Sequence, residues 1–212
     1  MLRTVGVWIF RITLMETSMT IWRVLIDVPW TMFVVYWLIS ALNTKRTEKR
    51  EPFAARYGIM FVEVVGFVLL FKHSADIGFL GRKVLARSFA AGVTAVSLTW
   101  AGIGLAIWAR WHLGQYWSGR ITIKEDHKLI RTGPYTRLRH PIYSGLDLAA
   151  IGTALAIDRW RCVVGLCVII VGFWVKAKRE EAMLAAQFGT DFEEHKRRTG
   201  FLFPRFRSAL SS

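Results

Sequence analysis

Two charged clusters in this chain have residue types suited to ligand chemistry. The first is Arg139-His140-Pro141, within the basic, proline-punctuated stretch that runs from Thr132 to Gly145. The second is Lys176 to Glu181, which adds Arg179 and the adjacent carboxylates Glu180 and Glu181. The residue before a proline is steered out of helical geometry, and proline suits a first helical turn. A helix is therefore expected to start at Pro141, with His140 at its cap and free backbone N–H groups beside it. Such an end attracts a carboxylate or phosphate. Paired carboxylates suit a cationic or polyhydroxyl ligand. A ligand-free capping histidine and an ordinary solvated charge run are the plainer alternatives.

The elements between the clusters decide whether they meet. Pro141–Ile157 and Trp160–Val175 are apolar, and only Asp158 and its neighbours join them. So short a link makes the two helices antiparallel neighbours. The hairpin returns the chain to the leaflet it left, which lets Glu180 and Glu181 face His140. Gly145 and Gly152 share one helix face, as do Gly165 and Gly172, and both faces permit close backbone approach.

Of the 212 residues, 53% are hydrophobic, more than a soluble domain of this size needs. Ser88–Ala109 carries no charge and is long enough for a hydrocarbon core of ~30 Å. The expected fold is all-α and polytopic, with about five transmembrane helices: Val24–Leu42, Tyr57–Phe71, Ser88–Ala109, Pro141–Ile157 and Trp160–Val175. The second and fifth are short and call for snorkelling ends such as Lys72, Arg161 and Lys176. Residues 1–20 are expected to form an interfacial helix, not a cleaved leader. Leu184, Phe188 and Phe192, among interleaved charges, predict a C-terminal amphipathic cytoplasmic helix interrupted near Gly189. Phe201-Leu202-Phe203-Pro204 is expected to re-anchor the tail in the interface. This divides the chain into an N-terminal membrane region, 1–110, and a catalytic region, 111–212.

The net charge is +14, and the basic residues lie beside apolar segments. Membrane lipids and the positive-inside rule account for that pattern, and nucleic acid is not an expected partner. Lysine and arginine are dense in 43–56, in 110–139 and after Val175, but sparse between helices four and five. The first three are therefore expected in the cytoplasm; the basic 72–87 loop fits less well. Cys162 and Cys167 are five apart, neither a zinc pair nor a redox motif, and read as packing residues. His73, His112, His127, His140 and His195 show no metal spacing, so no metal is expected. No glycine-rich nucleotide loop follows a strand.

From about Trp111 to Arg205 the chain resembles the isoprenylcysteine carboxyl methyltransferase family. The resemblance rests on Leu113-Gly114-Gln115-Tyr116-Trp117-Ser118, Asp126-His127-Lys128-Leu129-Ile130, Gly133-Pro134-Tyr135, Arg139-His140-Pro141-Ile142-Tyr143, Glu180-Glu181, Phe188-Gly189 and Phe203-Pro204. It implies methyl transfer from S-adenosylmethionine, with S-adenosylhomocysteine as product, to the carboxylate of a prenylated or otherwise lipophilic acceptor. The implied cofactor pocket comprises His127, Lys128, Leu129, Ile130, Tyr135, His140, Pro141, Ile142, Tyr143, Glu180 and Glu181, with a weaker correspondence at Arg120. The family places an arginine near Lys176 to hold the acceptor's carboxylate. Lysine lacks the bidentate fork, so Lys176, Arg139 and Arg179 share that expectation. Implied with it are an in-line displacement and a multi-pass protein of the inner or plasma membrane, its active site facing the cytoplasm. Glu63 and Asp147 are intramembrane charges outside this first-rank site. Three rival readings stay open: a phospholipid or amine N-methyltransferase, an NADPH-dependent membrane reductase, and a non-catalytic lipid-binding protein.

Overall fold

The computed structural model describes residues 2–42, 47–50, 53–85, 88–114, 122–124 and 129–205. Six α-helices account for most of them: α1 Leu2–Ala41, α2 Phe53–Phe71, α3 Phe89–Leu113, α4 Pro141–Ile157, α5 Trp160–Phe188 and α6 Thr190–Arg198. Segments of α1 (Ile21–Ala41), α3 and α5 are long and apolar enough to cross a membrane, and α2 and α4 supply shorter apolar helices. Large apolar side chains such as Leu38, Ile39, Phe61 and Val171 point outward, as a lipid-facing surface requires. The fold is that of an all-α polytopic membrane protein. Among the described residues one small sheet accompanies it, an antiparallel pair of β1 (Thr47–Arg50) with β2 (Thr122–Lys124). That pair puts the α1–α2 and α3–α4 connections at the same end of the bundle.

Two helices run on where a break was expected. Residues 2–41 form one continuous helix, with Pro29 inside it, where a separate interfacial helix was expected. A buried proline is tolerated in a membrane helix because neighbours re-satisfy the freed carbonyl. Likewise α5 does not stop at Val175 but runs on to Phe188. Lys, Arg, Glu and Ala are good helix formers, so the charged run leaves the apolar zone without breaking the helix. The break comes at Gly189, whose φ of 50° admits the turn into α6.

Glycine seams set the pairing. A Cβ on Gly145 would lie 2.6 Å from Gly102 O and 2.8 Å from Ala106 N, so α4 presses directly on the backbone of α3. Gly165 of α5 meets Gly66 O at 2.7 Å from its would-be Cβ, pressing α5 on α2. The glycine faces of the hairpin thus turn outward to α3 and α2. Gly172 makes only ordinary contacts, at 3.5 Å, with Val62 and Glu63. Between the two seams lies the core: Leu70, Ile103, Ala106, Ile142, Leu146, Ala149, Ile169 and Phe173. Trp30 of α1 closes it, edge-on to Phe67 and Phe71, with its indole N–H donating to Thr153 Oγ1 at 2.9 Å.

Buried arginines fasten both ends. Arg161, expected to snorkel, is fully buried. Its guanidinium donates to Asp76 Oδ1 at 2.6 Å and to the carbonyls of Leu69 and Leu70 at 2.7 Å, completing the last turn of α2. Beside it Asp158, at φ 57°, accepts from the Val84 and Leu85 amides. The basic 72–87 loop therefore shares an end with the α4–α5 turn. At the opposite end Arg110 donates to Ser40 O at 2.5 Å and Gly114 O at 2.7 Å, tying α3 to the end of α1.

Candidate functional site

The hairpin does bring the two charged clusters together. Pro141 opens α4, and His140 before it is non-helical, at φ −123° and ψ 56°. The His140 ring is buried between the paired carboxylates of α5. Its Nε2 lies 3.3 Å from Glu181 Oε1 and its Nδ1 lies 3.7 Å from Glu180 Oε2. One turn along α4, the Tyr143 hydroxyl donates to Glu180 Oε2 at 3.1 Å. Tyr143 also stacks on Phe173, with ring centroids 5.2 Å apart. Glu180 keeps its side chain 37% exposed, and its Oε1 accepts no hydrogen bond among the described residues. It is therefore the carboxylate of this cluster positioned to meet a ligand.

Glu181 is committed inward. Its Oε1 accepts from Arg139 Nε at 2.5 Å. The same guanidinium donates to Thr199 O at 2.6 Å and Lys196 O at 3.2 Å, closing the end of α6. With its side chain only 12% exposed, Arg139 is a structural tie and has little surface left for an acceptor.

The 199–205 segment completes this arrangement. Leu138 and Gly200 form a parallel bridge; the Arg139 amide donates to Gly200 O and the Gly200 amide to Arg137 O, each at 2.9 Å. The His140 amide donates to Phe201 O at 3.3 Å, and Ser144 Oγ to Leu202 O at 2.7 Å. The capping residue's own amide is thus used by the tail. Phe201 packs edge-on to His140 at 5.1 Å and lies beneath the cations of Arg139 and Lys178. It serves the site and not the lipid interface, whereas Phe203 is exposed.

Lys176 lies one turn before Glu180 on α5. Its ammonium donates to both carboxylate oxygens of Glu63, at 3.0 and 3.2 Å, and sits 5.6 Å from the Tyr143 ring centroid. Glu63 therefore belongs to the site's surroundings. Its signal in the sequence was a lone acid in the apolar run of α2. Arg179 lies on the exposed side of α5. Tyr135, Pro141 and Ile142 are buried behind the cluster; Leu129 and Ile130 are half-buried. Burial, then the charge of Glu180, pushes the Tyr135 hydroxyl well above its usual 10. His127, Lys128 and Arg120 lie outside the described residues. Asp147 points one carboxylate oxygen into the protein with no hydrogen-bond partner among the described residues. Among the described residues no group of three or more His, Cys, Asp or Glu side chains could hold a metal.

The helices that frame this cluster are also where known proteins match. Residues 95–186 match the isoprenylcysteine carboxyl methyltransferase (ICMT) family. That segment is similar to the family. The matched segment takes in most of α3, all of α4, and α5 through Ala186, and so contains both charged clusters. The chain is 35% identical over 77 residues to the probable protein-S-isoprenylcysteine O-methyltransferase of Oryza sativa subsp. indica, covering 36% of this chain and 40% of that protein. It is 33% identical over 82 residues to the protein-S-isoprenylcysteine O-methyltransferase of Saccharomyces cerevisiae, covering 38% and 34%. It is 31% identical over 115 residues to the cobalt-zinc-cadmium resistance protein CzcN of Cupriavidus metallidurans, covering 52% and 49%. The chain thus spans less than half the length of each of these relatives.

Proposed function

We propose that this integral membrane protein is an S-adenosylmethionine-dependent methyltransferase that esterifies the carboxylate of a lipophilic, isoprenylcysteine-like acceptor. The observation that carries the reading is Glu180. Within the matched segment it is partly exposed, fixed through one oxygen by Tyr143 and His140, and without a hydrogen bond at the other among the described residues. The donor set fits the cofactor: an open carboxylate accepts from ribose hydroxyls or an ammonium group, and Tyr143 and Phe173 offer aromatic surface beside it. When bound, S-adenosylmethionine supplies a methyl group on a sulfonium, already a good leaving group.

The chain's own residues then have little covalent work. An acceptor carboxylate is ionised at neutral pH and is itself the nucleophile, so no strong base is required. Glu180 holds the donor, while Tyr143 and His140 hold Glu180. Arg139, Glu181 and the 199–205 segment fix His140 in turn. Lys176, whose ammonium lies beside the Tyr143 ring, receives the acceptor's carboxylate. The helices exclude water from the reacting groups. Positively charged connections at this end support a cytoplasm-facing site, with the acceptor's tail arriving from the bilayer. The 1–110 region forms the wall that α3 and α2 press against the hairpin.

The amine-acceptor alternative draws on one observation, that Lys176 is already neutralised by Glu63. A transfer assay separates the two. Membranes containing the protein are given methyl-labelled donor with prenylcysteines, lipid acids and phosphatidylethanolamine in turn. Base-labile label on an acid is the expected product. Base-stable label on the amine overturns the ester reading, as does NADPH-dependent reduction without any transfer.

A further inference from the structure

We propose that Glu63 is the resting counter-ion of Lys176 and gives way to an acid acceptor, so that the pair distinguishes an acid from its ester. The inference rests on the reading of this pocket as a carboxyl methyltransferase's. Glu63 is the only acid in α2, and it sits in the middle of an apolar helix. Its two oxygens both face the Lys176 ammonium, and the side chains are only 14% and 15% exposed. Neither charge is tolerable alone at that depth, and together they make a neutral resting pair. Gly172 lies where a Cβ would stand 3.5 Å from Glu63 Cγ, so α5 leaves Glu63 an uncrowded edge.

The position of the pair gives it a role beyond joining α2 to α5. Lys176 lies against the Tyr143 ring, and Tyr143 holds the ligand-facing Glu180. An acceptor carboxylate reaching this pocket is the same chemical group as Glu63 and competes for the same ammonium. An ammonium has three donors, so the incoming acid takes a share while Glu63 keeps a weakened contact. Esterification removes the acceptor's charge. The neutral ester cannot hold the ammonium, the Glu63 contacts re-form, and product leaves. Glu63 is thus a positioning residue that sets acid affinity and favours release of ester.

Binding tests this apart from turnover. The full chain in phosphatidylcholine nanodiscs is titrated with labelled N-acetyl-S-farnesylcysteine and, separately, with its methyl ester. Removing the competing carboxylate in Glu63→Gln is expected to tighten acid binding about tenfold and leave ester binding unchanged. Lys176→Gln is expected to weaken the acid alone. Should Glu63→Gln fail to fold, Glu63→Asp, which pulls the carboxylate back by one methylene, should tighten the acid less but in the same direction. Acid affinity that is unchanged or weaker in the folded variant overturns the proposal, as does acid that binds neither wild type nor variant. If wild type forms no base-labile ester yet Glu63→Gln tightens the acid, methyl transfer fails and the counter-ion role stands. If ester forms and the variant binds acid as wild type does, the reverse holds.

Discussion

Replacing Arg139 by methionine tests whether this residue supports the site or acts in it. The substitution keeps most of the side chain's length and removes the guanidinium. Three hydrogen bonds go with it, to Glu181, Thr199 and Lys196. Glu181 stays behind, only 7% exposed, with the His140 ring as its remaining partner among the described residues. Stripping one partner from a buried pair costs about 3–5 kcal/mol, most of it the penalty of the charge left uncompensated. Arg139→Met should therefore lower stability by that amount in an SDS titration of the purified protein in mixed micelles, followed by tryptophan fluorescence. Adding Glu181→Gln should recover part of the loss, because the stranded charge is then gone. A loss below ~1 kcal/mol would refute the tie described here. Unchanged stability with lost acid binding would make Arg139 an acceptor-binding residue instead.

Three further outcomes follow from the geometry. Tyr143→Phe removes one bond to Glu180 and should weaken S-adenosylhomocysteine binding about three- to tenfold by calorimetry, with little change in stability. Gly145→Leu should abolish accumulation of folded protein, since its Cβ alone would stand 2.6 Å from Gly102 O; Gly104→Ala, with open space around it, should not. Burial, then the charges of Arg131 and Arg139, pulls His195 down to about 4. Its contribution is present above the ordinary histidine value of about 6.5, and the folded state loses it as pH falls from there to about 4. The SDS midpoint should therefore drop across that window, and drop less in His195→Gln.

Most of the bundle was legible because it is punctuated. Pro141 and Asp158 bound α4 at the residues expected, as a helix-starting proline and a left-handed turn residue would. The facing of His140 and Glu181 followed from the shortness of the 158–159 link. Other features were out of reach for physical reasons. A charged run is not a helix stop, so α5 was read short. A glycine face says that something approaches closely, not which helix, and so the partners α3 and α2 were hidden. Glu63 and Lys176 are 113 positions apart, and only packed helices choose such a partner. Arg139 looked available because the carbonyls it binds, at Lys196 and Thr199, carry no side-chain signature.

The strand-like clasp between 199–205 and 137–140 also constrains the order of assembly. Some sixty residues, including the whole α4–α5 hairpin, are synthesised between Arg139 and its partner carbonyl at Thr199. A translocon can hand both hairpin helices to the bilayer before the ribosome has made the segment that fixes His140. The site therefore takes shape only after the hairpin has been made, and a chain can be correctly inserted while its site is still unset. Insertion and competence are separate events in this protein, and a lesion in 199–205 should uncouple them.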